Sequence, residues 1–375
     1  MSIQSALKLS HRPARAFTII GLFWGAFAAQ VPVIKDQLGA GDALFGQLLL
    51  GSSIGLVSAM WLAPRVDQWL GARGMQIAAV MFAVFWMFPP LITTPLLFAF
   101  AIMMVGMASG VLDVIMNARV SELESQSGRT LMNANHAMFS VGYAISALLT
   151  GVAREAGLQP IYVFAIVGLV TLALTPGLIM TPAEVDDADE GGNASWSIVL
   201  LCGAVTLIAF MSEATVEAWS ALHIERTLLG RAAEGALGPA MLGITMAIGR
   251  FSGQAVSERF RETSVVIVAA LIAAGGALIA AGATSPMMGY LGFGVLGLGV
   301  SVIGPIGLAI VGKRVSSKDR TKAISRVAVI GFSGFFIAPT LMGFSSEYVG
   351  LRWSYVGVAG VLLLAIPFAV ILRRR

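Results

Sequence analysis

The chain is 375 residues long, 57% hydrophobic and only 12% charged, where a soluble domain carries about a quarter charged residues. That composition excludes a water-soluble globular fold, and the formal charge of +4 is no evidence for a nucleic-acid partner. A bilayer accommodates the apolar excess, because a helix needs about 20 apolar residues to cross the hydrocarbon core.

In chain order, stretches nearly free of charge cover residues 16–34, 43–64, 74–92, 95–118, 130–153 and 158–182, then 195–222, 235–257, 263–285, 286–312, 323–346 and 353–372. Each is long enough to span as a helix, and none shows the strict alternation of a membrane strand. The expectation is an all-α membrane protein with twelve transmembrane helices. Lys8, Arg12 and Arg15 ahead of the first stretch imitate a signal peptide. Its apolar run is longer than a typical cleavable segment, so it is expected to persist as the first helix.

Between the sixth and seventh stretches the sequence turns acidic, from Ala183 through Glu184, Asp186, Asp187, Asp189 and Glu190 to Asn193. Such a run cannot bury enough surface to order itself and reads as a solvated linker. The expected organisation is a six-helix half (1–182), a cytoplasmic linker (183–194) and a second six-helix half (195–375). With the N-terminus inside, cytoplasmic segments hold 17 of the 24 Lys and Arg residues and external loops hold five, Lys35, Arg154, Arg226, Arg231 and Arg352. Basic residues are retained on the cytoplasmic side, so both termini are expected there, in a bacterial inner membrane.

Sliding the second half back by 192 residues places Gly238 on Gly46, Gly243 on Gly51, Gly334 on Gly142, Gly343 on Gly151 and Glu347 on Glu155. One offset serving two helix pairs points to parallel repeats with a site between them. Gly106 and Gly110 form a GxxxG pair suited to close helix packing, and Pro305 and Pro339 can kink their helices. Cys202 is alone, and His11, His136 and His223 are scattered without metal-ligand spacing. No phosphate-binding G-x-x-x-x-G-K-[ST] loop is present, so no cofactor or metal is expected.

Several segments resemble the major facilitator superfamily, and more narrowly its bacterial fucose-permease-like branch. Glu213-Ala214-Thr215-Val216-Glu217-Ala218-Trp219-Ser220-Ala221 looks like that branch's E-G-x-x-x-D-W-S-A pattern. Asp113 to Asn117 and Asn135 to Gly142 look like its D-x-x-x-N and H-A-x-F-S-x-G stretches, and the eleventh helix contributes Arg326, Gly334, Pro339 and Gly343. The chain departs from the branch at Gln30, at Glu217 and at Ala338-Pro339-Thr340. Arg65, Asp67 and Arg73 form a degraded version of the superfamily's cytoplasmic gating motif, and the resemblance implies that they help hold the halves together when the cavity faces outward.

Charges within the membrane cost a few kcal/mol each unless they face a wet cavity or a partner. Here they are Asp113, Glu213, Glu217, Arg250 and Arg326, with His136 beside them. Arg250 and Arg326 are expected to snorkel toward the cytoplasm. Glu213 and Glu217 share a helix face, as do Asp113 and Asn117, and His136, Ser140 and Tyr143. By resemblance, helices one, four, seven and ten line the central cavity. Glu213, Asp113, Glu217 and His136 are therefore the proton-coupling candidates, with no cation near Glu213 on its own helix. Asn117, Asn135, Tyr143, Gln30, Trp24, Trp219 and Arg326 are the substrate-binding candidates. The alternative is structural, with Asp113 neutralising His136 or Arg326 and the aromatics anchoring helix ends.

The expected function is proton-coupled secondary transport of a small polar solute by alternating access, preferably import. Proton-driven efflux of a cationic or amphipathic compound is the competing transport reading, and a membrane solute sensor or scaffold the competitor of another class. No enzyme chemistry is expected, since nothing specifies a nucleophile with its base. The expected partners are a small molecule, protons and the bilayer, with the chain acting as a monomer.

Overall fold

The structure, a computed structural model, describes residues 3–182, 195–315 and 320–374. The expected acidic linker (183–194) lies outside the described residues, as do Lys318 and Arg375. Among the described residues all regular structure is helical: α1 (Ile3–Leu9), α2 (His11–Gln37), α3 (Asp42–Leu70), α4 (Gly74–Phe85), α5 (Pro95–Ser127), α6 (Met132–Glu155), α7 (Pro160–Leu174), α8 (Trp196–Leu222), α9 (Ala232–Arg259), α10 (Glu262–Gly282), α11 (Pro286–Arg314), α12 (Arg320–Leu363) and α13 (Ala365–Arg374).

Local chemistry sets these limits. Pro95, Pro160 and Pro286 open α5, α7 and α11, where a missing N–H costs nothing because the first-turn donors lack helical partners. Gly128 ends α5 in the left-handed region at φ 64°, which a residue without Cβ adopts freely.

Among the described residues, ten helical stretches are long and apolar enough to cross a membrane. Two of them, residues 42–91 and 322–374, run for 50 and 53 residues, about 75 Å at 1.5 Å per residue, which is enough for two crossings each. The first double stretch turns at the 3-10 segment Gly71–Arg73, and the second bends at Gly350, φ 81°. The twelve expected crossings fit within these stretches. Leu96, Leu149, Leu169 and Met287 are exposed on the outside of the bundle, the surface an apolar solvent would cover.

Before residue 182, α2 packs on α6 and α3 on α5; after 195, α8 packs on α12 and α11 on both α9 and α10. The two groups meet where α3 touches α12 and α6 touches α9. Two of the glycine pairs aligned by the 192-residue offset, Gly142 with Gly334 and Gly151 with Gly343, occupy matching contacts. Gly142 of α6 abuts Thr18 of α2, and Gly334 of α12 abuts Leu207 and Met211 of α8. Gly46 of α3 meets Pro339 and Gly343 of α12, while Gly151 of α6 meets Ala233 and Ala236 of α9. Gly106 and Gly110 let α5 approach α3 at Ser52 and Ala59, the close contact that small residues permit. One end of the bundle, here the terminal face, carries α1 and the end of α13. The opposite, distal face carries the turns after α2, α6, α8 and the first part of α12.

Candidate functional site

The centre of the bundle is organised by Arg250. Its Nη2 donates to Glu213 Oε1 at 3.0 Å, while its Nη1 donates to Ser140 Oγ at 2.6 Å and to the His136 carbonyl at 3.4 Å. The guanidinium lies 6.0 Å from the centre of the Phe139 ring. Arg250 is 9% exposed and Glu213 5%, so α9, α8 and α6 are joined by a buried charge pair. This corrects two expectations. Glu213 is not without a cation, and Arg250 does not snorkel: nine residues short of the end of α9, it is neutralised inside. A charge this deep finds a partner because leaving it bare costs several kcal/mol.

Glu217 lies one turn further along α8, half-buried, with no ion-pair partner among the described residues. The Tyr143 hydroxyl is within electrostatic reach of both Glu217 and Glu213. The Tyr143 hydroxyl, the Trp219 indole N–H and both polar atoms of the Gln30 amide are buried without a hydrogen-bond partner. Buried polar atoms are seldom left unsatisfied, and these four are among the interior atoms of the described residues that are.

The other candidates are placed as follows. Asp113 and Asn117 are half-buried on α5, where the Asn117 amide donates to the Asp113 backbone carbonyl at 2.8 Å. Asp113 forms no salt bridge with His136 or Arg326. The His136 ring packs edge-on against Phe17 at 4.8 Å. Asn135 is fully buried and donates to Ser10 Oγ and the Leu131 carbonyl, both at 2.9 Å, away from the Arg250 cluster. Trp24 donates to Ser109 Oγ at 3.2 Å within a nest formed with Phe27 and Trp86. Trp219 meets Phe45 edge-on. The Arg326 guanidinium stacks 4.4 Å over Trp196, the first residue of α8, and so sits toward the terminal face.

Of the expected gating residues, Asp67 accepts from Arg119 Nη2 at 2.6 Å, and Arg119 also reaches Glu122 at 2.9 Å. Arg65 donates to the Trp61 carbonyl at 3.0 Å, and Arg73 is exposed. These partners all precede residue 182, and Arg119, 1% exposed, is the member that sequence reasoning missed.

Among the described residues, the ion pairs that join the two helix groups lie on the distal face instead. Asp42 receives both terminal nitrogens of Arg226, at 2.7 and 2.5 Å, together with Lys35 at 3.0 Å and the Ser346 hydroxyl. Arg154 forms a two-pronged pair with Glu225, at 2.7 and 3.0 Å, and donates to the Ala29 carbonyl at 2.6 Å. Glu347 accepts from the Asp42 and Ala43 amides at the start of α3, and Glu155 accepts from the Ala233 amide at the start of α9. The repeat-related glutamates thus each cap a helix of the opposite group, where the helix dipole favours a carboxylate. Glu225 and Arg226 share a single π-helical turn, His223–Thr227. On the terminal face the corresponding pairs, Asp67 with Arg119 and Glu262 with Lys313, stay within one group.

The family model for the Major Facilitator Superfamily matches residues 201–375. An uncharacterised MFS-type transporter of Yersinia pestis is 29% identical over 357 residues, 93% of this chain and 91% of its own length. The chain is similar to the major facilitator superfamily along its second half, and to an MFS-type transporter along nearly its whole length. Solved structures share its fold. A bacterial homologue of the human lysosomal transporter Spinster superposes with a TM-score of 0.79 at 15% identity, covering 98% of this chain and 96% of that one. A D-xylose-proton symporter superposes with a TM-score of 0.78 at 14% identity, covering 98% and 97%. These likenesses and the long apolar helices are those of a multi-pass membrane protein. The Arg250 cluster lies where helices from before residue 182 and after residue 195 converge.

Proposed function

We propose that this chain is a proton-coupled secondary transporter that moves a small polar solute across the inner membrane by alternating access. The observation that carries this reading is the buried Arg250–Glu213 pair tied to α6 through Ser140 and His136. It lies beside Glu217, which has no ion-pair partner. A proton arriving on Glu213 removes the charge that holds Arg250, and loosens the bond between α8 and α9 while leaving the α6 contacts in place. A carboxylate with two such states ties proton occupancy to helix arrangement. Asp113, facing the same interior from α5, is the second coupling carboxylate.

Basic-residue sorting supports both termini being cytoplasmic, which makes the distal face periplasmic. On that reading the clamps Asp42–Arg226 and Arg154–Glu225 close the periplasmic face. The likeness to a proton symporter of a sugar supports a polar solute. Glu217, without an ion-pair partner among the described residues, favours one second reading, efflux of a cationic compound, since an unpaired carboxylate in the interior attracts cations.

The test is uptake of a labelled solute library into proteoliposomes with and without an imposed pH gradient. Wild type is expected to concentrate one solute only with the gradient, and Glu213→Gln and Glu217→Gln to equilibrate it without concentrating it. Full gradient-driven accumulation by both variants would overturn proton coupling through this cluster, and gradient-driven extrusion of cations would establish the efflux reading.

A further inference from the structure

Four segment ends meet on the terminal face, the end of α9, the start of α10 and the ends of α11 and α13, around a cleft of about 380 Å3. The transport reading makes no use of it. Its charged lining is four cations, Arg261, Lys313, Arg314 and Arg373, against one carboxylate, Glu262. Glu262 is taken up by Lys313 at 2.6 Å. Three guanidinium groups are left without an ion-pair partner among the described residues. Nη1 of Arg314 is buried and makes no hydrogen bond, although a buried donor lacking an acceptor is unfavourable. Thr263, in the first turn of α10, forms part of the wall, and the amides of a helix start add positive potential. The charged side chains of the cleft are thus mainly donors, and its one carboxylate is already used.

The surroundings define the rest of the ligand. Phe260 is exposed at the rim, and Val268 and Leu271 on α10 and Ile371 on α13 are exposed below it. Helices α10 and α13 pack together, so these side chains extend an apolar surface away from the cations toward the middle of the bundle. A ligand matching this pattern has a multidentate anionic head and an apolar body.

We propose that the cleft binds a phosphate ester, with an anionic phospholipid as the source that its position favours. The planar guanidinium forks of Arg261, Arg314 and Arg373 suit phosphate oxygens in a way that single ammonium groups do not. The exposed apolar residues receive the acyl chains. The site stands apart from the central cluster and does not depend on what the protein transports.

Native mass spectrometry of the purified full-length protein in detergent tests it, with added phosphatidylglycerol, phosphatidylcholine or glycerol 3-phosphate. Phosphatidylglycerol is expected to be retained over phosphatidylcholine. The Arg261→Gln/Arg314→Gln/Arg373→Gln variant is expected to weaken that binding about a hundredfold, from about fivefold per basic residue. A control carrying Lys8→Gln, Arg12→Gln and Arg15→Gln keeps it. Competition by glycerol 3-phosphate at equal concentration supports the phosphate site and assigns it a soluble source. Equal retention of the two lipids, or undiminished retention by the triple variant, overturns the proposal. Should the triple variant not fold, Arg373→Gln alone must still weaken binding about fivefold. Thermal stabilisation of the wild type by phosphatidylglycerol must also fade as salt rises, and salt-independent stabilisation counts against the site.

Discussion

Arg250 has three partners on two other helices, and the value of each differs. Its pair with Glu213 is buried, so removing one member strands the other charge, at a cost of about 3–5 kcal/mol. Removing both leaves two neutral amides that can hydrogen-bond. Thermal unfolding in detergent should therefore show Glu213→Gln and Arg250→Gln each strongly destabilised, and Glu213→Gln/Arg250→Gln less so than their sum. Additive losses would mean that the pair is not a unit. The buried acids were legible in the sequence, because a carboxylate amid twenty apolar residues stands out. The cation was not, because Glu213 and Arg250 are 37 residues apart and only the packing of α8 against α9 brings them together. Arg119 was missed for the same reason, being 52 residues from Asp67.

At the level of helices, the contacts between groups rest on small residues and on charges at the helix ends. Gly46 of α3 faces the Pro339 carbonyl and Gly343 of α12 with no room for a Cβ. Gly46→Ala should therefore destabilise the protein by about 1–3 kcal/mol, an overpacking cost, while the same change at the open Gly282 should not; equal melting temperatures would contradict this packing. The twelve apolar runs and the GxxxG contact of Gly106 and Gly110 could be read from hydrophobicity and spacing. The distal clamps could not, since Asp42, Arg154, Glu225 and Arg226 look in sequence like ordinary solvated loop charges. Their effect is open to measurement because the chain's one cysteine, Cys202, is buried. A thiol introduced as Ala240→Cys, fully buried where α9 meets α2 and α6, should be labelled by a maleimide several-fold faster once Arg154→Gln and Arg226→Gln are added. Unchanged labelling would show that the clamps do not hold the distal face shut.

Across the whole molecule, the 192-residue offset accounts for more than sequence likeness. It relates Glu155 to Glu347 as caps on opposing helices, and Gly142 to Gly334 as close contacts within each group. The symmetry fails at the clamps themselves, for Glu225 and Arg226 come from one π turn of α8 and have no paired turn on the other side. In that turn the Leu228 amide bonds to the His223 carbonyl, five residues back, so the turn holds one residue more than an α-helical turn would. Passing that extra residue along the helix rotates the side chains on it by about 100°. A single backbone step would carry Glu225 away from Arg154 and Arg226 away from Asp42 together. Unlocking is then concerted, with one barrier and no half-open intermediate. Single-molecule energy transfer between dyes on the distal end of α6 and at the Gly350 bend of α12 should show two levels with direct jumps between them, and a long-lived third level would mean that the clamps release one at a time.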